Sequence, residues 1–385
     1  MRLGVYVQVP FCQTKCTYCN FHTGVFSADL YAPYVDAVCR EITEHSRLLR
    51  ENAIAAIPDG IVDTVYFGGG TPSLLDPGGL RRIIEATRAT FDSKLEEVTL
   101  EADPETITYE KAAAWREAGF DRISMGVQSF DNVELKAAGR MHRREDVYSA
   151  SRILRASGFR NISFDLIAGL PHQTDESWDD SVAQLLALSP EHVSIYMMEI
   201  DEGSRLGLEV IQGGTRYSAS VLPADDSMAD FYERACARLA AAGYIHYEIS
   251  NWALPGFESR HNLKYWRREP YFGFGAGAHS FNGTHRWANA HDPASFARAI
   301  CEGRFPVEQL DTVSPEQSLE EELFLGLRQL AGIDLARIES KYGANLGPRV
   351  EALREQGLLE WDGTRLRLAP DRLTVSNEVF VNLLD

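Results

Sequence analysis

The sequence predicts an α/β fold of parallel strands and helical crossovers, followed by a small C-terminal α+β unit. Three observations carry this. Strand-like and helix-like patterns alternate over the first two-thirds of the chain. Regular periodicity then fades through a stretch dense in aromatics and glycines. Residues 314–385 return to helix-like patterns and close on a hairpin-like one.

The elements read in order. LGVYVQV is an apolar strand, and YAPYVDAVCREITEHSRLL has the spacing of an amphipathic helix. VDTVYFG and PGGLRRIIEATRATF form the second strand–helix pair, and EEVTLEADP and TYEKAAAWREAG the third. DRISMGVQS and REDVYSASRILRASG form the fourth, and NISFDLIAGLP and DESWDDSVAQLLALS the fifth. EHVSIYMMEI is the sixth strand, with a helix across 225–242. Such a repeat implies parallel strands with right-handed crossovers. Ligand sites in these sheets gather at the C-terminal ends of the strands.

The expected organisation is a parallel α/β unit over 1–250, an aromatic and glycine-rich connecting region over 251–313, and a separate unit over 314–385. In the last, SPEQSLEEELFLGLRQL and LGPRVEALREQGLLEW read as helices, and TRLRLAPDRLTVSNEVF as a hairpin and a final helix. Two helices and a wing suggest a winged-helix-like domain.

The chain has 38 basic and 56 acidic residues, a net charge of −18. That balance argues against a general nucleic-acid surface, so no nucleic-acid partner is expected. Six cysteines in 385 residues do not make a disulfide framework. Cys39, Cys236 and Cys301 fall in helix-like patterns and are expected as small buried apolar residues. The N-terminal run meets Pro10 too early for a secretory signal, and no run approaches a membrane span. The expected location is cytoplasmic.

Three other cysteines, Cys12, Cys16 and Cys19, stand as C-x3-C-x2-C just after the first strand. Thiolates suit iron–sulfur clusters and zinc. A four-iron cluster ordinarily takes four cysteines, and no fourth lies near. Three thiolates leave one iron open for a substrate or cofactor. A zinc site needs a fourth ligand, which His22 is placed to supply. After the second strand come Gly68, Gly69, Gly70, Thr71 and Pro72, a run that allows backbone amides to approach an anionic ligand.

Polar residues recur at the strand ends. Glu101 in LEADP is either a ligand for a hydroxyl or ammonium, or a helix-capping acid. Gln128 in GVQSF and Arg140 in AAGRMH offer an amide and a guanidinium for hydroxyls and a carboxylate. Asp165 lies inside the apolar FDLIAGLP, and a buried acid needs a partner. Met197 and Met198 are expected to pack the sixth strand.

The cysteine motif with the glycine loop resembles the radical S-adenosylmethionine (SAM) superfamily. YVQVPFCQTKCTYCNF, VYFGGGTPSLL, LEADP, GVQSF, FDLIAGLP and YEISNWALPGFESRHNLKYW together resemble its HemN/HemW branch over nearly the whole chain. The resemblance implies a partial (β/α)6 barrel with a HemN-like C-terminal domain, a [4Fe–4S] cluster on Cys12, Cys16 and Cys19, SAM, and haem or a porphyrinogen. It places Tyr6 and Tyr18 against cluster and SAM, and Gly69, Gly70 and Thr71 at the methionine end. Glu101, Gln128, Arg140 and Asp165 are implied as further SAM contacts, with Arg140 and Asp165 reaching towards any second site. In HNLKYW, haem binding is implied for His261, with Asn262, Tyr265 and Trp266. His279 in GFGAGAHSF is a second possible ligand.

Three functions compete within the branch: oxygen-independent coproporphyrinogen III oxidase, haem chaperone of the HemW type, and radical SAM methyltransferase. The oxidase pattern has a further cysteine where this chain has Phe21, after Asn20. The oxidase also has an N-terminal segment, whereas this chain enters its first strand by Leu3. These two differences and HNLKYW favour the chaperone. Implied partners are acceptor haemoproteins, membrane respiratory enzymes among them, and a flavodoxin- or ferredoxin-type electron donor. Whether SAM is turned over is left open.

Overall fold

The computed structural model describes residues 1–57 and 60–384; residue 385, the end of the expected C-terminal unit, lies outside the described residues. Six strands, β1 Arg2–Val9, β2 Ile61–Gly69, β3 Ser93–Ala102, β4 Arg122–Gln128, β5 Asn161–Ala168 and β6 His192–Met197, lie side by side in chain order and pair in parallel. The crossovers carry α1 Tyr31–Glu51, α2 Pro77–Thr90, α3 Tyr109–Ala118, α4 Asn132–Ala137, α5 Arg144–Ala156 and α6 Asp175–Leu188. After β6 come α7 Arg205–Ile211 and α8 Asp225–Ala241.

The period of two along each strand divides the molecule. Ile123, Met125 and Val127 of β4 and Phe164 and Leu166 of β5 join the apolar core under the helices. Their alternates, Ser124, Gly126, Gln128, Asp165 and Ile167, line a cavity at the C-terminal ends of the strands. Helix starts are fixed by side-chain caps. Asp76, Thr108, Asp131 and Thr174 accept amide hydrogens at the heads of α2, α3, α4 and α6. The predicted α/β class with parallel crossovers is what the chain adopts.

The aromatic stretch is more regular than its pattern suggests. β7 Ile245–Glu248 and β8 Asn251–Ala253 extend one edge, β8 antiparallel to β6. After α9 Arg260–Trp266, β9 Tyr271–Phe274 returns to pair in parallel with β1. β10 His279–Phe281, β11 His285–Asn289 and, after α10 Pro293–Cys301, β12 Val307–Thr312 continue that edge antiparallel. Among the described residues all twelve strands form one sheet. Pairing with β1 supplies the order that the local pattern lacks. Gly275 makes the close approach possible: its φ is +97°, and a Cβ there would lie 2.4 Å from the Tyr34 hydroxyl and 2.6 Å from the Gln8 carbonyl.

The C-terminal part has α11 Pro315–Leu327, β13 Ile333–Asp334, α12 Leu335–Tyr342, α13 Gly347–Glu355, β14 Leu359–Trp361, β15 Arg365–Leu368 and α14 Ser376–Leu384. Its strands form a separate antiparallel sheet in the order β13-β15-β14. The helix read through LGPRVEALREQGLLEW stops at Glu355; Gly357, at φ +70°, ends it, and LEW becomes a strand. This part docks on the barrel through Arg268–Glu321 at 2.7 Å, Arg286–Glu321 at 2.6 Å and Arg328–Glu248 at 3.5 Å. Cys39 and Cys236, expected to be buried, are only half-buried, and Cys301 is exposed because α10 ends there. Among the described residues no helix is long and apolar enough to cross a membrane.

His45 of α1 is sealed against Phe272, Phe274 and Phe91, with ring centroids at 4.3, 5.2 and 5.5 Å, and its Nε2 has no hydrogen-bond partner. Burial pushes it down to about 3. The folded chain therefore holds it neutral while the unfolded chain protonates it below about 6.5. Stability is lost as pH falls through that window, by up to about 1.4 kcal/mol per pH unit for this one proton. His45→Phe is expected to flatten the acid side of the urea-stability profile by that increment, with the wild-type slope unchanged above pH 7.

Candidate functional site

The cysteine loop lies over the C-terminal ends of the strands because both its flanks are tied down. Cys12 N–H donates to the Gly24 carbonyl and Gly24 N–H to the Pro10 carbonyl, both at 2.9 Å. Thr17 N–H reaches the Ala138 carbonyl at 3.0 Å, and Leu206 N–H of α7 reaches the Thr17 carbonyl at 2.8 Å. Cys12, Cys16 and Cys19 are half-buried and line a cavity of about 420 Å³. No other cysteine lines it.

The donor set fits a cluster better than a single ion. Among the described residues no three Cys, His, Asp or Glu side chains meet as a mononuclear site. A cubane gives each thiolate its own iron, so the sulfurs need to ring a void rather than meet at a point. His22 does not line the cavity: it is exposed, and its ring lies tilted against that of His291 at 3.9 Å.

Arg140 organises the wall. Its guanidinium, 9% exposed, pairs with Asp103, donates to the Gly126 carbonyl at 2.9 Å and reaches Cys16 Sγ at 3.5 Å. Asp103 also accepts from the Thr71 hydroxyl at 2.9 Å. One buried cation thus joins the ends of β3 and β4 to the cysteine loop, and through Asp103 to the glycine loop. Gly126 leaves room for this: a Cβ there would lie 2.9 Å from Gln128 Nε2 and 3.2 Å from Arg140. Gln128 holds φ at +64°, an uncommon conformation for a residue with a side chain.

The glycine run behaves differently from its sequence reading. Gly69 N–H donates to Glu101 at 3.1 Å, Gly70 N–H to the Val9 carbonyl at 2.8 Å and Thr71 N–H to the Phe11 carbonyl at 2.7 Å. All three amides are taken up inside the protein. The glycines are required for space instead. A Cβ on Gly69 would meet Gln8 at 2.4 Å, and one on Gly70 would lie 2.6 Å from the Phe11 carbonyl and 2.9 Å from Cys12 Sγ.

Glu101 is not a helix cap. It accepts from the Tyr66 hydroxyl at 2.8 Å and from Gly69 N–H, and burial pushes its carboxyl up to about 7. Asp165 faces the hydroxyls of Ser124 at 3.3 Å and Ser163 at 3.4 Å; burial raises it, while these bonds and nearby Arg122 favour the charged form. Tyr18, Met197 and Met198 line the cavity, whereas Tyr6 lies beneath it, its hydroxyl on Gln8 at 2.7 Å.

HNLKYW forms α9, which plugs the N-terminal end of the barrel. Glu97 accepts from the amides of Arg260 and His261, both at 3.0 Å, and Lys264 pairs with Asp63 at 2.7 Å. His261 is 1% exposed. Its Nδ1 bonds Thr64 and its Nε2 bonds the Tyr265 hydroxyl, both at 2.9 Å. Asn262 is half-buried, and Trp266 lies under Arg328 at 4.5 Å. In this arrangement both His261 nitrogens are engaged, and His261 does not line the cavity at the cysteines. Arg122, Glu97 and Asp103 were missed by sequence reasoning. A cation opening the apolar RISMG was the available signal; Arg122 is wholly buried, and its Nε and Nη1 have no partner.

Comparison with known proteins sets this geometry in a family. Residues 6–185 match the model of the radical SAM superfamily, and residues 313–371 that of the HemN C-terminal domain. The "Heme chaperone HemW" of Bacillus subtilis is 35% identical over 98% of both chains. The protein of that name from Mycobacterium tuberculosis is 35% identical over 99% of this chain and 94% of its own. The structure of Escherichia coli coproporphyrinogen III oxidase (HemN), a radical SAM enzyme, superposes with a TM-score of 0.82 at 22% identity, over 99% of this chain and 89% of its own, a likeness of fold.

Gly70→Val should drive a branched side chain into the Phe11 carbonyl and Cys12 Sγ. The expected result is loss of most of the iron and sulfide taken up on anaerobic reconstitution, with an unchanged far-UV circular dichroism spectrum. Full cluster content in this variant would mean that Cys12 has no part in holding it.

Proposed function

The chain belongs to the HemW family of radical SAM proteins, and from that premise we propose that it is a haem chaperone. It holds a [4Fe–4S] cluster and SAM at the mouth of the barrel, binds haem, and delivers it to acceptor haemoproteins such as membrane respiratory enzymes. The reading includes a cytoplasmic location and a flavodoxin- or ferredoxin-type donor. Full-length similarity to HemW chaperones supports it. The observation in the chain itself that carries it is Phe21, 65% exposed at the cavity rim, where the oxidase pattern has a further cysteine.

The residues divide the work. Cys12, Cys16 and Cys19 hold the cluster, which when bound supplies an open iron for SAM and a path for one electron. Arg140 keeps Cys16 facing the cavity and offers a cation for a carboxylate. Glu101, poised near neutrality, accepts from an ammonium or a ribose hydroxyl on the side away from Tyr66. Asp165 and Gln128 offer acceptors for further hydroxyls, with Tyr18 and the methionines as the apolar wall. Gly69, Gly70 and Thr71 act by the space they leave and by Thr71's bond to Asp103. Tyr6 supports the floor through Gln8. In HNLKYW, Tyr265 and His261 brace the barrel from below, and Asn262 and Trp266 seat the plug.

Reconstituted protein with SAM, reductant and coproporphyrinogen III under anaerobic conditions is expected to yield no protoporphyrinogen, while binding hemin. Turnover on the order of one per second or faster, an ordinary enzyme rate, would replace the chaperone with the oxidase.

A further inference from the structure

Haem iron takes a neutral imidazole with a free, accessible nitrogen. The chain has ten histidines. His45, His142, His192, His246 and His261 are buried or hydrogen-bonded within the fold. His172 bonds Ser218 at 3.3 Å, and His285 bonds Thr284 at 3.0 Å, each through one ring nitrogen. His22, His279 and His291 are exposed, and among the described residues neither ring nitrogen of any of them is hydrogen-bonded.

These three come together from distant parts of the chain. His22 follows the cysteine loop, His279 opens β10, and His291 follows β11. The rings of His22 and His291 lie 3.9 Å apart and tilted by 33°. His279 is close enough to feel the charge of both. Partial loss of water contact first, then this mutual repulsion, holds His22 and His279 below the ordinary histidine value, so each ring stays neutral at neutral pH and keeps one lone-pair nitrogen.

We propose that haem docks on this antiparallel edge, beside the cysteine loop, with one imidazole of the His22–His279–His291 group as its axial iron ligand. The proposal rests on the haem-chaperone reading. Phe21 and Val25 flank His22 in the chain and are 65% and 63% exposed, apolar surface suited to a macrocycle. Lys15 sits near His22, a cation of the kind that attracts a propionate. His22 and His291 are too close to clasp one iron from opposite faces, so one ligates while the other packs. A free metal ion is the poorer occupant, because no three donors there meet at a point. An exposed ligand also suits a cargo that must be given up.

The test is hemin titration of the full-length, cluster-loaded protein and of His22→Ala/His279→Ala/His291→Ala. The triple variant should bind hemin roughly tenfold or more weakly, about 1.4 kcal/mol or more, and lose the Soret position of an imidazole complex. Added imidazole should restore that position, with iron and sulfide content unchanged. An unchanged hemin spectrum and affinity in the variant would overturn this site while leaving the chaperone reading standing. Failure of the wild type to bind hemin would overturn both. Zinc binding that the variant loses, with hemin binding unaffected, would overturn the proposal in favour of an ion site.

Discussion

The architecture of the mouth depends on one buried cation. Arg140 pairs with Asp103, holds the Gly126 carbonyl and reaches Cys16. A guanidinium removed from water is costly unless its fork is filled. Here the fork is engaged by groups from the end of β3, from β4 and from the cysteine loop, and those contacts fix where the three lie. Removing Asp103 would leave Arg140 buried and uncompensated, free the Thr71 hydroxyl and loosen the cysteine loop together. The cysteines are therefore held by the polar wall of the cavity rather than by apolar packing alone.

Below that wall the barrel interior is polar where most cores are not. Glu101 bonds Tyr66, and Tyr66 stacks on His261 at 5.2 Å between ring centroids. His261 joins Thr64 to Tyr265, and Glu97 caps the plug helix that carries it. Each donor has an acceptor through most of this column, so the charged and polar groups specify how α9 seats. Arg122 is one exception, with two unpartnered nitrogens in a cluster of acids and phenols, and Trp266 Nε1 and Thr99 Oγ1 are others. The column gives HNLKYW a physical role in the fold, whatever passes through the mouth above.

Much of this was legible in the sequence. Six alternations of strand and helix fixed the parallel order, and the polar residues breaking apolar strands at Glu101, Gln128 and Asp165 do line the cavity. What was hidden depends on groups distant in the chain. The strands from 271 to 312 form because β9 pairs with β1, which local periodicity does not encode. The short helices α4, α7 and α12 run too few turns to show a period. The glycine run looked like an anion cradle, but its amides are satisfied by Glu101, Val9 and Phe11, none adjacent in sequence. His291 attracts no notice as a residue until the fold brings it to His22.

The claim on which the rest turns is that three thiolates ring a cluster with one iron left open to SAM. Electron paramagnetic resonance of the anaerobically reconstituted, reduced protein, with iron and sulfide counted on the same sample, tests it most directly. About four iron and four sulfide per chain are expected, with a reduced-cluster signal whose shape changes when SAM is added. Zinc without sulfide, or a cluster signal indifferent to SAM, would contradict it.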